Sequence, residues 1–313
     1  MEKLTVYITR YITSEQNYLM FMECLECIYK HIKDFDISVI VFTEETIPEF
    51  DPIIQESYKN ITFVKPECSI PEYRAMLYHY QRHPSEYMVY IMDNTMLTRD
   101  IHADTVINAI NTYGCYNFCY NECISNFFTI HYELIKYFVP ELIELGSYKD
   151  YENYENYEIT PHNISAQGNQ LFTSYTALVK MFDRFPSLMK YILTSSTVKY
   201  DDIKQHVNFP KYTDDKLFVR ELRSIGDYAT SQCFFYTYTF PATVNLLGET
   251  PDCMYGCVMT NWTHLKEDLF GRHKDDPSSW SIQSTYWKDY LQHKDDPKIS
   301  QYFVKFSTLR AKV

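Results

Sequence analysis

The stretch VYIMDNTMLTRD, residues 89–100, sets the reading of the whole chain. Four apolar residues, Val89 to Met92, run into Asp93, then into the polar pair Asn94 and Thr95, then into apolar Met96 and Leu97. A short apolar run closed by turn-forming residues reads as a buried strand and the bend that ends it. Ligands of open parallel sheets bind past the carboxyl ends of the strands, so Asp93 stands where a carboxylate can hold a cation. The same residue types also make an ordinary polar turn, and the stretch by itself leaves both readings open.

Working outward, the preceding sequence alternates strand and helix patterns. The runs 4–11, 36–43, 61–65 and 87–92 are rich in β-branched and aromatic residues and predict strands. Between them, Tyr18, Phe21, Met22, Leu25, Ile28, Tyr29 and Ile32 recur at helical spacing behind a possible Ser14 cap. Shorter helical patterns cover 52–58 and 71–83. This βαβαβαβ order predicts a central, mainly parallel sheet layered between helices. Further on, 104–112 predicts a helix with Asp104 as its cap, and 116–120 and 127–131 predict strands. The stretch 167–182 predicts a strand leading into a helix, followed by another helix through Tyr191. The repeat YENYENYE (151–158) suits an exposed loop, and HKDDP occurs twice, at 273–277 and 293–297, bracketing a Trp- and Tyr-rich helical pattern.

Composition narrows the function. The 313 residues carry a net charge of −12, from 41 acidic against 29 basic residues, with no basic block, which disfavours nucleic acid as a partner. No run approaches the ~20 apolar residues of a membrane span. The N-terminus lacks a signal-peptide layout, so the expected compartment is cytoplasmic. Nine cysteines lack paired zinc-site spacing: Cys24 and Cys27 form a lone CxxC inside a helical pattern, as expected of reduced, buried thiols. Neither GxGxxG nor GxxxxGK[ST] occurs, and GxSxG is missing too, which disfavours dinucleotide, P-loop and serine-hydrolase chemistry.

What remains is a set of polar residues at predicted strand ends: Thr9, Arg10 and Tyr11; Thr43 and Glu44; Asp93, Asn94 and Thr95, with Arg74 on the helix before the last of these strands. Tyr11 can stack on a base that Thr43 or Glu44 hydrogen-bonds, Arg74 can neutralise a phosphate, and Asp93 can hold a cation bridging two phosphates. Arg10 and Glu44 equally suit a surface ion pair of little worth.

In this order, PEYRAMLYHY (71–80) followed by YIMDNTMLTRDI (90–101) resembles the glycosyltransferases of the GT-A fold, which use nucleotide-diphosphate sugars. Their donor-site strand ends in hydrophobic-Asp-x-Asp-hydrophobic, and Thr95 stands where the second Asp belongs. The resemblance implies a GT-A-like three-layer α/β/α catalytic domain over 1–265, with a donor half to about 102 and an acceptor half from 103. A small helical or mixed element would follow over 266–313. It implies a UDP- or GDP-sugar donor, a glycan or protein hydroxyl acceptor, and Mn²⁺ or Mg²⁺ at Asp93, Thr95 and a late His264. AQGNQLF (166–172) is similar to the acceptor-side segment, with Asn169 and Gln170. TDDKLF (213–218) is similar to the acidic helix start that carries the catalytic base, which makes Asp214 and Asp215 candidates; as ordinary helix-capping acids they look the same. Two alternatives stay open: a nucleotidyltransferase acting on sugar phosphates, and an inactive glycosyltransferase-like scaffold, which Thr95 favours.

Overall fold

The computed structural model describes residues 1–10, 15–43, 51–67, 71–97, 99–120, 134–145, 170–195, 197–206, 222, 226, 229–230, 232–239, 253–254, 257–260 and 303–305. The chain is α/β and forms two compact units: residues 1–65, 91–106 and 260–313, and residues 66–90 and 107–259.

In the first unit, β1 (Glu2–Thr9), β3 (Phe35–Phe42) and β4 (Ile61–Val64) run parallel, with Val6 opposite Val39 and Phe42 opposite Val64. Leu4 to Ile8 are buried without a break, as a strand covered on both faces requires. Helix α1 (Glu15–His31) contributes Phe21, Cys24, Leu25 and Ile28, buried at the i, i+3, i+4, i+7 spacing of one helical face. A short α2 (Asp51–Ser57) leads into β4. Asp34 (φ 66°) and Asn60 (φ 64°) make the left-handed bends before β3 and β4, a conformation that Asp and Asn tolerate better than most residues.

Four further strands of this unit were invisible to periodicity because each is only two or three residues long. Strand β2 (Ile32–Lys33) pairs parallel with β7 (Ile101–His102). Strand β6 (Thr95–Leu97) pairs antiparallel with β12 (Phe303–Lys305) from the end of the chain.

In the second unit, β9 (Gln170–Ser174) runs antiparallel to both β5 (Tyr87–Met92) and β8 (Cys115–Tyr120), so β5 and β8 share a direction. Only the last two residues of β5 cluster with the first unit. The central sheet is thus mainly parallel, with β9 reversed in it, and β6–β12 is a separate antiparallel pair. A short α5 (Pro140–Glu144) precedes β9, and β10 (Cys253–Met254) pairs antiparallel with β11 (Cys257–Thr260). Helix α3 (Pro71–Arg82) packs with α6 (Tyr175–Arg184) and α7 (Pro186–Thr194). Ser174 caps α6 by accepting a 3.0 Å hydrogen bond from the Ala177 N–H, and Pro186 opens α7 after the break at Phe185. Gly114 (φ 77°) turns the chain into β8, where an added Cβ would lie 2.4 Å from the Tyr238 ring.

Helix α4 (Ala103–Tyr113) starts one residue earlier than the sequence predicts. Asp104 therefore lies in its first turn, its carboxylate accepting from the Thr105 N–H at 2.7 Å, instead of capping it. The strand predicted over 127–131, the repeat at 151–158, the helix after Thr213 and both HKDDP segments lie outside the described residues. Among the described residues, no helix is long and apolar enough to cross a membrane.

Candidate functional site

The turn that closes β5 is buried. Asp93 is 7% exposed, Asn94 5% and Thr95 0%, so this is no solvated strand end. Three consecutive polar side chains taken out of water are costly unless partners or function hold them there. Helix α1 fixes the turn from below: the Cys24 thiol donates to the Met92 carbonyl at 3.6 Å, and the Thr95 backbone is hydrogen-bonded to the Cys24 sulfur. Burial first, then the negative charges of Cys27 and Asp93, push the Cys24 thiol well above its ordinary value; the Thr95 contact pulls the other way. Cys24 thus stays a protonated donor. Cys24, Cys27, Cys115 and Cys233 are all buried thiols outside any disulfide.

Past the turn, β6 carries Thr95, Met96 and Leu97, all buried, and lies between α1 and the β12 strand. The register places Lys305 opposite Thr95, Val304 opposite Met96 and Phe303 opposite Leu97. Beyond β6, His31 Nδ1 meets Asp100 Oδ1 at 2.9 Å and His102 Nδ1 meets Asp34 Oδ2 at 3.0 Å, one pair on either side of the β2–β7 bridge.

The strand end of β1 is built differently. Arg10 is buried; its guanidinium donates to the Asp51 carboxylate and, at 3.0 Å, to the Thr43 hydroxyl. The Phe63 ring lies 4.8 Å from it and the Phe21 ring 5.8 Å. Asp51 at the start of α2 is thus a partner of Arg10 in a largely buried pair, and Glu44 lies outside the described residues. A planar cation held by one carboxylate, a hydroxyl and two rings is braced within the protein. Thr43 shares that brace. The Thr9 hydroxyl is buried without a hydrogen-bond partner among the described residues, on a residue that is otherwise half-buried.

The remaining candidates are distributed as follows. Arg74 is buried on α3 in the second unit. Gln170 opens β9 in that unit, opposite Phe118. Tyr11, Glu44, Asn169, Asp214, Asp215 and His264 lie outside the described residues. The first unit thus brings Asp93, Asn94, Thr95, Thr9, Arg10 and Thr43 into one compact body. No family model matches the chain, and no curated protein matches it in sequence.

Among the described residues, no group of three or more His, Cys, Asp or Glu side chains is placed to hold a metal ion.

Sequence reasoning missed Cys24 as the anchor of the turn, Asp51 as the partner of Arg10, and the C-terminal strand beside Thr95. Cys24 left a trace, since it falls on the apolar face of α1. The other two are contacts between segments 41 and more than 200 residues apart, with no local signal.

Proposed function

We propose that this protein transfers a glycosyl group from a nucleotide-diphosphate sugar to a hydroxyl acceptor, on a GT-A-like sheet. The observation that carries the reading is the buried Asp93-Asn94-Thr95 turn at the end of β5, clustered with three parallel strands whose own ends carry Thr9 and Thr43. The alternation of β1, α1, β3, α2 and β4 supports the same assignment.

In this reading Asp93 and Asn94 hold the ribose and diphosphate end of the donor. Arg74 on α3 is the proposed cation for the leaving group. Asp214 or Asp215 accepts the acceptor's hydroxyl proton as that oxygen bonds to the anomeric carbon, whose bond to the diphosphate oxygen breaks. The brace around Arg10 assigns that residue a structural task at the edge of the site.

A second reading, an inactive binding protein of the same architecture, is favoured by Thr95, which brings no charge and is committed to β6. One experiment separates the two. Thermal shifts of the whole chain with UDP, GDP and their sugars, with and without Mn²⁺, report binding by mass action, and release of UDP or GDP from the sugar nucleotide reports turnover. A shift of the melting temperature lost in Asp93→Asn, together with slow donor hydrolysis, is expected. Binding without hydrolysis, with or without any acceptor, leaves the scaffold. No shift with any nucleotide overturns both.

A further inference from the structure

Helix α1 grips the chain beyond the Asp93 turn at two places along one face. Cys24 and His31 are two helical turns apart, on the same side of the helix and about 10 Å from one another along its axis. Cys24 holds the turn itself, through the Met92 carbonyl and the Thr95 backbone. His31, the last residue of the helix, meets Asp100 at 2.9 Å. The chain then enters β2, which pairs with β7 over two residues only, Ile32 with Ile101 and Lys33 with His102. Past that pairing Asp34, in its left-handed bend, meets His102 at 3.0 Å. One histidine thus reaches from α1 to the segment before β7, and the other reaches back from β7 to the residue after β2.

A two-residue strand pair is too short to hold itself in water. Ile32 and Ile101, 3% and 2% exposed, anchor its middle, and the two histidine–aspartate contacts close its ends. A neutral ring can still donate a hydrogen bond, but only the imidazolium adds an ion pair to it. The charged groups around the contacts are Lys30 on α1, Lys33 and Asp34 after it, Arg99 and Asp100 before β7, and Asp104 in the first turn of α4. On His102 the hydrogen bond to Asp34 acts first, opposed by desolvation and assisted by the charges of Asp34, Asp100 and Asp104, and the ring's pKa is raised. A raised histidine stabilises below its ordinary 6.5 and loses that contribution as the pH rises through the folded value. The Cys24 thiol, pushed well above its ordinary 9.0 by burial first, keeps its proton throughout that range. One grip is indifferent to pH near neutrality and the other is not.

We propose that the His31–Asp100 and His102–Asp34 contacts form a proton-operated clasp, which latches residues 99–103 onto the end of α1 when the two rings are protonated and releases that segment when they are neutral. The clasp acts on the segment leaving the Asp93 turn and not on the turn, whose own tie is Cys24. It does not depend on the transferase reading.

The test is amide hydrogen exchange of the full chain from about pH 5.5 to about pH 8.5, with the intrinsic rate divided out, alongside NMR titration of the histidine ring protons. Wild type is compared with the His31→Gln/His102→Gln and Asp34→Asn/Asp100→Asn double variants. In wild type the protection of residues 101–103 should fall about fivefold with rising pH, the scale of two exposed ion pairs, while β1 and residues 92–95 stay constant. In both double variants residues 101–103 should stay at the alkaline wild-type value. The His102 ring should titrate above 6.5 in wild type and lower in Asp34→Asn/Asp100→Asn. Wild-type protection that ignores pH overturns the proposal, as does a pH dependence that survives in the histidine double variant. If the double variants lose protection in β1 as well, and so open as a whole, the wild-type measurements still decide. A wild-type His102 midpoint at or below 6.5, or a fall in protection that does not follow that midpoint, then overturns the clasp.

Discussion

Two strand ends of the first unit look alike in sequence and differ in what their polar residues do. At the end of β1, Arg10 spends its charge inside the protein, on Asp51, Thr43 and two phenylalanine rings. At the end of β5, the turn is positioned by its backbone: Met92 and Thr95 are tied to Cys24, and Thr95 lies in a two-strand ladder with the chain's end. The first arrangement makes a side chain part of the scaffold. The second uses the scaffold to hold a turn by its backbone, through Cys24 and the β6–β12 ladder. A charged residue at a strand end is therefore a candidate for function only after its partners have been identified.

The contrast breaks most readily at Arg10. Arg10→Ala leaves the Asp51 carboxylate without its partner and should lower stability by about 3 kcal/mol in urea unfolding. Asp93→Asn should cost less than about 1 kcal/mol while abolishing the nucleotide-induced thermal shift. Equal losses of stability in the two variants would remove the distinction between brace and site.

The second unit offers a buried polar group of a third kind. His79 is 0% exposed, and burial first, then the nearby His83, lowers its pKa to about 4, against an ordinary 6.5. The unfolded chain takes up the proton before the folded one does. Its contribution is therefore complete above pH 6.5 and is lost as the pH falls toward 4, by roughly 3 kcal/mol. His79→Leu should flatten that part of the stability profile, whereas the Arg10 brace should leave it unchanged. A profile identical in wild type and variant would contradict the burial of a neutral His79.

Cys24→Ala tests whether the β5 turn depends on its anchor. The expected cost is about 1 kcal/mol, with a smaller nucleotide-induced thermal shift. A stability loss with ligand binding intact would mean that the turn holds its shape without Cys24.

The smallest effect is expected at the exposed His102–Asp34 contact. The hydrogen bond that His102 donates to the Asp34 carboxylate, ahead of the opposing desolvation and the charges of Asp34, Asp100 and Asp104, raises the His102 pKa. Its stabilisation is present below the ordinary value of 6.5 and is lost as the pH rises through the raised folded value. Wild type and His102→Gln should accordingly converge at alkaline pH, and a gap that widens there would reverse the assignment.

Much of this architecture is legible in the sequence because it is local. The apolar runs at 36–43 and 87–92 become β3 and β5 within a residue or two, since burial on both faces demands continuous hydrophobicity. The apolar face of α1 is set by its 3.6-residue period. The position of Asp93 at a strand end follows from the same pattern. Partners were another matter. That Arg10 meets Asp51, that Cys24 carries the Asp93 turn, and that residues 303–305 return to lie beside Thr95 depend on contacts between distant segments. Two- and three-residue strands such as β6 and β12 are too short to carry a period of their own, so only their pairing defines them. The sequence alone determined which residues are polar at the strand ends; the tertiary structure decided which of them are occupied with one another, because pairing depends on distance in space and not along the chain.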